Sequence, residues 1–185
     1  MDVMIPNRIH IIGSVGSGKT TLARVLAAQF NLPYYELDNV VWERAEPDDI
    51  RRTEADRDAL LLNIVNNKCW IIEGAHLNWV GPSFHRADLI VFLNPSYSTI
   101  TCRIITRFIK QRLRLEQAHY TPTWNMFKKM FEWSAAYQRK GRYQIQNTLA
   151  GYPGKVIVVK SHEQLMQQLK QWNPSIEQQE RTLGG

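Results

Sequence analysis

The chain has 185 residues and a formal net charge of +6, from 23 Lys/Arg against 17 Asp/Glu. That length suits one domain with a sizeable core, and no apolar run approaches the roughly 20 residues that would cross a bilayer. Cys69 and Cys102 are isolated, which excludes a disulfide framework and a cysteine zinc site. The first strand begins close to the start of the chain and leaves no room for a signal peptide, so the cytosol is the expected compartment and no membrane partner is expected.

The charge is unevenly placed. Residues 99–142 carry ten Lys/Arg and two acids, a local balance of +8 that leaves −2 for the rest. Residues 36–58 hold nine acids and four arginines, a balance of −5. One acidic and one basic segment suggest two walls of a cleft, with phosphate on the basic side. A solvated helix face would have the same composition, so charge alone does not decide.

In chain order, Arg8–Ile12 is a short β-rich run, followed by Gly13-Ser14-Val15-Gly16-Ser17-Gly18-Lys19-Thr20. This fits G-x-x-x-x-G-K-S/T, a loop whose glycines bring backbone N–H groups onto phosphate oxygens. Lys19 is expected to reach the β- and γ-phosphates of a nucleotide, and Thr20 to hold Mg²⁺. Residues 13–21, ending in Thr21, form the expected nucleotide site. Leu22, Val25, Leu26 and Phe30 then follow helical spacing, so a helix N-terminus adds its positive end to the site.

Asn31-Leu32-Pro33 ends that helix, and Tyr34–Asp38 reads as a second strand with Glu36 and Asp38 on one face. Asp38 at the strand end is the candidate acid to accept a proton from, or orient, an attacking hydroxyl, and Glu36 is a lesser candidate. A turn falls at Pro47-Asp48-Asp49 and a helix over about 53–67. Cys69–Glu73, continuous and apolar until its last residue, reads as a buried strand. Glu73 is the candidate Mg²⁺ ligand opposite the loop, because a buried acid must be paired or metal-bound. Asp88–Leu93 is the next strand. Asn94, just after it, is not an acid and suits a metal less.

Two helical stretches follow, about 98–115 and 124–149, separated by residues 118–122. On the first, Arg103, Arg107, Lys110 and Arg114 make a cationic stripe beside an apolar one of Ile100, Ile104, Phe108 and Leu115. Arg103 and Arg107 are the candidate phosphate contacts, with Arg139 and Arg142 closing from the second stretch. The aromatics Phe127, Phe131, Trp133 and Tyr137 fit core or lid packing better than base stacking. Of the five histidines none has a metal-ligand spacing, and only His76 falls near the presumed site. Val156–Val159 is a fifth strand, and Ser161 with Gln164 forms a capping box before a final helix ending near Trp172. Residues 173–185 read as a flexible tail. Strands alternating with helices predict a three-layer α/β fold with a five-stranded, mostly parallel sheet.

The chain resembles small-molecule kinases of the adenylate kinase-related P-loop group, and within it the DNA topology modulation proteins. The likeness rests on the phosphate loop, on 31–38 with Trp42, on Trp70–Gly74, on Ala87–Pro95 with Arg103 and Arg107, and on Trp133, Tyr137 and Arg139. It implies a P-loop kinase domain over 1–172, ATP and Mg²⁺ as cofactors, and a mobile basic helical lid at about 99–142. Glu36-Leu37-Asp38 is similar to the D-x-D of shikimate kinase-like enzymes. However, Glu73-Gly74-Ala75 stands where those enzymes have a triple-glycine turn, and Glu73–Leu77 replaces the D-G-F-P-R of adenylate kinases. Neither shikimate nor AMP is therefore implied as acceptor.

Three activities remain open at this level. One is phosphoryl transfer from ATP to a small acceptor such as a nucleoside, nucleotide or other hydroxyl metabolite. The others are ATP hydrolysis without an acceptor, and nucleotide-dependent regulation through nucleic-acid contacts of the basic helices. The first is favoured, because the loop and its acidic and basic companions form a transfer site. Oligomeric state is not encoded in any recognisable pattern.

Overall fold

The computed structural model describes residues 6–45, 48–113, 115 and 123–171. Five strands form one fully parallel sheet: β1 (Arg8–Gly13), β2 (Tyr34–Glu36), β5 (Trp70–Gly74), β6 (Leu89–Leu93) and β7 (Val156–Val159), in the order β2-β5-β1-β6-β7. Strands β5 and β6 are buried along their whole length, as their continuous apolar sequence requires. Side chains alternate across the sheet and build two cores. Ile12, Trp70, Ile72, Phe84 and Phe92 fill one, and Ile9, Ile11, Ile71, Val91 and Leu165 fill the other. Helices cover both faces, giving the three-layer α/β architecture expected from the sequence.

Helix α1 (Lys19–Phe30) follows β1, with Leu22, Ala23 and Leu26 buried against the second core. Asn31 ends it in the left-handed conformation, φ 53°. Helix α3 (Glu54–Val65) begins at Thr53, whose hydroxyl accepts from the Asp56 N–H. Helix α5 (Tyr97–Arg112) is capped in the same way by Ser96, and α8 spans His162–Gln171.

The structure departs from these expectations in several places. The second strand stops at Glu36, and Asp38 lies in the first turn of a short helix, α2 (Leu37–Val41). Leu37, Val40 and Val41 are all buried, so tertiary burial at helical spacing overrides the strand reading, and Glu36 and Asp38 do not share a strand face. Beyond α2, β3 (Trp42–Glu43) and β4 (Ile50–Arg51) make a small antiparallel pairing that the turn signal did not reveal. A short helix α4 (Gly81–Arg86) with Pro82 in its first turn precedes β6. The stretch expected as one helix to Leu149 is α6 (Trp124–Ala136), a π-helical turn (Tyr137–Gly141) and α7 (Arg142–Leu149).

On α5 the buried stripe is Ile100, Ile104, Phe108 and Gln111. Leu115 lies past the helix end and is 73% exposed, because the helix stops before the turn that would have buried it. Phe108 meets Trp124 and Phe127 while Ile100 and Ile104 meet Met130, so α5 and α6 pack antiparallel. Phe127 and Phe131 pack in that hairpin and Tyr137 against the main core, whereas Trp133 is exposed. Arg114, residues 118–122 and the tail 173–185 lie outside the described residues.

Candidate active site

The site forms where β1, β5, β6 and β2 end together, at the carboxyl edge of the sheet. Gly13 pairs with Leu93 of β6. A Cβ on Gly13 would lie 2.4 Å from the Leu93 carbonyl oxygen and 2.9 Å from Ser17 Oγ, so only glycine lets the loop turn here. Gly16 (φ 76°) and Gly18 (φ 95°) are left-handed, which bends the backbone into a concave loop. The Ser17 N–H donates to the Ser14 carbonyl across it at 3.2 Å.

The loop's chemistry can be tested against a nucleotide phosphate. The hydroxyls of Ser14 and Ser17 are buried and have no hydrogen-bond partner among the described residues. Helix α1 begins at Lys19 with no side chain capping its N-terminus. Lys19 Nζ donates to the Ser14 carbonyl at 2.9 Å, folding the ammonium over the loop. Unpaired hydroxyls, an open helix N-terminus and a cation suit an anion with several acceptor oxygens.

Glu73 enters from β5 beside the loop. The Thr20 hydroxyl donates to Glu73 Oε1 at 2.5 Å, and Glu73 is only 5% exposed. Burial raises the Glu73 pKa, opposed by Lys19 and by the Thr20 hydrogen bond. Burial likewise lowers the Lys19 pKa, opposed by the charges of Glu73 and Asp38 and reinforced by Arg107. A hydroxyl and a carboxylate meeting at the loop are hard oxygen donors of the kind Mg²⁺ takes, with one or two protein groups and the rest water and phosphate.

Asp38 reaches the same space from α2. Its carboxylate lies 3.4 Å from His76 Nε2 and is 74% exposed. Hydrogen bonding to His76 holds its pKa below the ordinary carboxylate value, with help from the charges of His76, Lys19 and Arg44. Glu36 is the register partner of Glu73 but is engaged elsewhere, accepting from Arg24 of α1 at 3.1 Å. Arg103 donates to the Ser17 carbonyl and thus clamps the loop backbone from α5. Arg139 is exposed and donates back to Ala135 of its own helix at 3.4 Å, and exposed Arg142 lies beside Tyr137.

The structure therefore gathers Lys19, Thr20, Asp38, Glu73 and Arg103 at the loop, with Arg107 acting on Lys19, while Glu36 pairs with Arg24, Arg139 bonds its own helix and Arg142 is exposed. Two contacts were not read from the sequence. By sequence His76 only falls near the site, and its pairing with Asp38 depends on α2. Tyr137 donates to Asn94 Oδ1 at 3.3 Å, joining the π turn to the end of β6.

No protein-family model matches the chain. Shikimate kinases from several strains of Legionella pneumophila are 40% identical over 48 residues. That is 26% of this chain and 27% of theirs, so the chain spans about a quarter of the length of these relatives. Among solved structures, a gluconokinase from Sinorhizobium meliloti 1021 aligns over 89% of each chain with a TM-score of 0.50 and 18% identity. A shikimate kinase from Acinetobacter baumannii in complex with shikimate covers 91% of this chain and 92% of its own, with a TM-score of 0.50 and 17% identity. The fold is therefore that of the P-loop kinases.

Proposed function

We propose that this chain is a P-loop phosphotransferase that moves the γ-phosphoryl group of ATP to a small hydroxyl-bearing acceptor. The observation that carries the reading is electrostatic convergence: Lys19 of the phosphate loop feels the charges of Glu73, of Asp38 and of Arg107 at once. A loop that only bound nucleotide would not require a second carboxylate acting on Lys19.

In this reading residues 13–21 hold the phosphates, and Thr20 with Glu73 holds Mg²⁺, which when bound screens the phosphate charge. Lys19, Arg103 and Arg107 stabilise negative charge on the transferring group. Asp38 takes the acceptor's hydroxyl proton as that oxygen bonds to the γ-phosphorus and the bond to the β,γ-bridging oxygen breaks, leaving its electron pair on ADP. Glu36, Arg139 and Arg142 are assigned to acceptor contacts or lid closure. On this reading residues 1–172 form one cytosolic domain with a lid at about 99–142, and the residues quoted above resemble those of the DNA topology modulation proteins. The names of the similar proteins make shikimate and gluconate the first acceptors to try, alongside nucleosides and nucleotides.

The test is ADP production over that panel, with Lys19→Ala as blank. Acceptor-dependent ADP that vanishes in Lys19→Ala supports transfer. ADP release independent of every acceptor supports the hydrolase reading instead. Equal ADP production by both proteins would sink the proposal.

A further inference from the structure

Sequence and packing bring one further side chain to the proposed base. Strand β5 ends at Gly74, where a Cβ would lie 2.6 Å from Leu37 Cδ1, so glycine allows α2 to seat on the strand end. Leu37 is fully buried there. Asp38 follows it directly and meets His76, two residues past the glycine, at 3.4 Å. The imidazole is 34% exposed and backed by Trp79, with ring centroids 5.2 Å apart. Trp79 is steadied in turn by the Arg57 guanidinium, 4.7 Å over its ring.

We infer that His76 is the positioning residue of the transfer site, holding the Asp38 carboxylate turned toward the phosphate loop. The inference deepens the phosphotransferase reading and rests on it. The other charges acting on Asp38 are Lys19 from α1 and Arg44 from the β3 side, with Glu73 coupled to it from β5. Lys19 and Arg44 act on the carboxylate through their charges, while His76 Nε2 is the group that meets it, at 3.4 Å. With its side chain 74% exposed, Asp38 has little packing to fix its rotamer, so a directional partner decides where it points. His76 does not touch the reacting atoms in this arrangement and acts through Asp38.

The experiment is a double-mutant cycle on the full chain: His76→Ala, Asp38→Asn, the pair together, and His76→Asn as the conservative variant. Turnover of MgATP is measured with the acceptor found in the panel and with water alone, beside nucleotide affinity and melting temperature. The expected result for His76→Ala is a fall in kcat of about tenfold with KM for ATP unchanged. His76→Asn, which can still donate to the carboxylate, should recover to within about threefold of wild type. On the Asp38→Asn background His76→Ala should add less than about twofold, because the two act as one unit.

A His76→Ala enzyme as fast as wild type overturns the inference. So does a full His76→Ala factor persisting on the Asp38→Asn background, or His76→Asn no better than alanine. If Lys19→Ala abolishes turnover while the cycle shows no coupling, the transfer reading stands and this inference alone falls. If Lys19→Ala is as active as wild type, both fall. Should His76→Ala fail to fold, the His76→Asn and Asp38→Asn arms with their double variant decide the coupling.

Discussion

Replacing His10 with asparagine should remove a large share of the protein's acid sensitivity. His10 lies on β1 and is fully buried beside Phe84, with ring centroids 4.5 Å apart. Ser83 Oγ donates to the Val80 carbonyl at 2.7 Å, so at the 2.9 Å contact His10 Nδ1 donates to Ser83 Oγ. His10 Nε2 is then a bare acceptor with no partner among the described residues. Protonating it would put a charge in the core with nothing to receive it, and burial lowers its pKa from 6.5 to about 3. The sign follows directly. Below pH 6.5 the unfolded chain binds a proton that the folded chain refuses, so stability is full above that pH and drains away down to about pH 3. At about 1.36 kcal/mol per pH unit, the loss between pH 6.5 and 4.5 is about 2.7 kcal/mol, against a typical total of about 5–15. Asparagine can keep a hydrogen bond to Ser83 and does not titrate. Urea unfolding of both proteins at pH 7.0 and 4.5 measures the difference, with other titrating groups common to the two. His10→Asn should be the less stable protein at neutral pH, by about 1–3 kcal/mol, and should lose about 2–3 kcal/mol less on acidification. Equal losses in the two proteins would refute the argument.

Gly13→Ala should cost about 2–4 kcal/mol and abolish nucleotide binding, since the methyl would collide with the Leu93 carbonyl and the rigid strand cannot give way. Thermal melting and a nucleotide-binding titration check the two halves separately. Thr20→Val strips Glu73 of its hydrogen-bond donor, so the Mg²⁺ concentration needed for half-maximal turnover should rise about 10- to 100-fold; an unchanged requirement would remove Thr20 from the metal site. The half-buried Tyr137 hydroxyl, its pKa pushed up to about 12 by that burial, keeps its proton when the unfolded chain has lost it. Stability carried by Tyr137 is therefore present below pH 10 and lost above it, and Tyr137→Phe should show a flatter alkaline limb in urea unfolding.

The sheet was legible because β5 and β6 are buried on both faces and so read as unbroken apolar runs, each closed by a polar residue at the site. The phosphate loop was legible because its backbone turns demand glycine at fixed spacing. Asp38 reads as a base candidate from the sequence although its element does not: the five residues of α2 carry too little local signal, and the helix exists because Gly74 offers Leu37 a seat made elsewhere in the chain. The same dependence hid His76, whose partner is defined by tertiary contact. Glu36 pairs with Arg24 of a neighbouring helix, a contact that its place at a strand end does not reveal. The break in the helix to Leu149 left no mark, because a π turn uses ordinary helix-compatible residues.

That π turn sets a phase. Met130 of α6 faces the α5 hairpin, while Ile145 and Leu149 of α7 face the main core. The wide turn at Tyr137–Gly141 is where one continuous rod changes the side on which its apolar residues emerge. Removing a single residue from α6 or α7 beside the turn would rotate α7 by about 100° relative to α6, swinging Ile145 and Leu149 out of their seats. The segment is thus constrained in length even where its exposed residues, Arg139 and Lys140 among them, are free in identity as far as packing is concerned. A deletion beside this turn would act as a gear slipped by one tooth, leaving both helices wound and out of mesh.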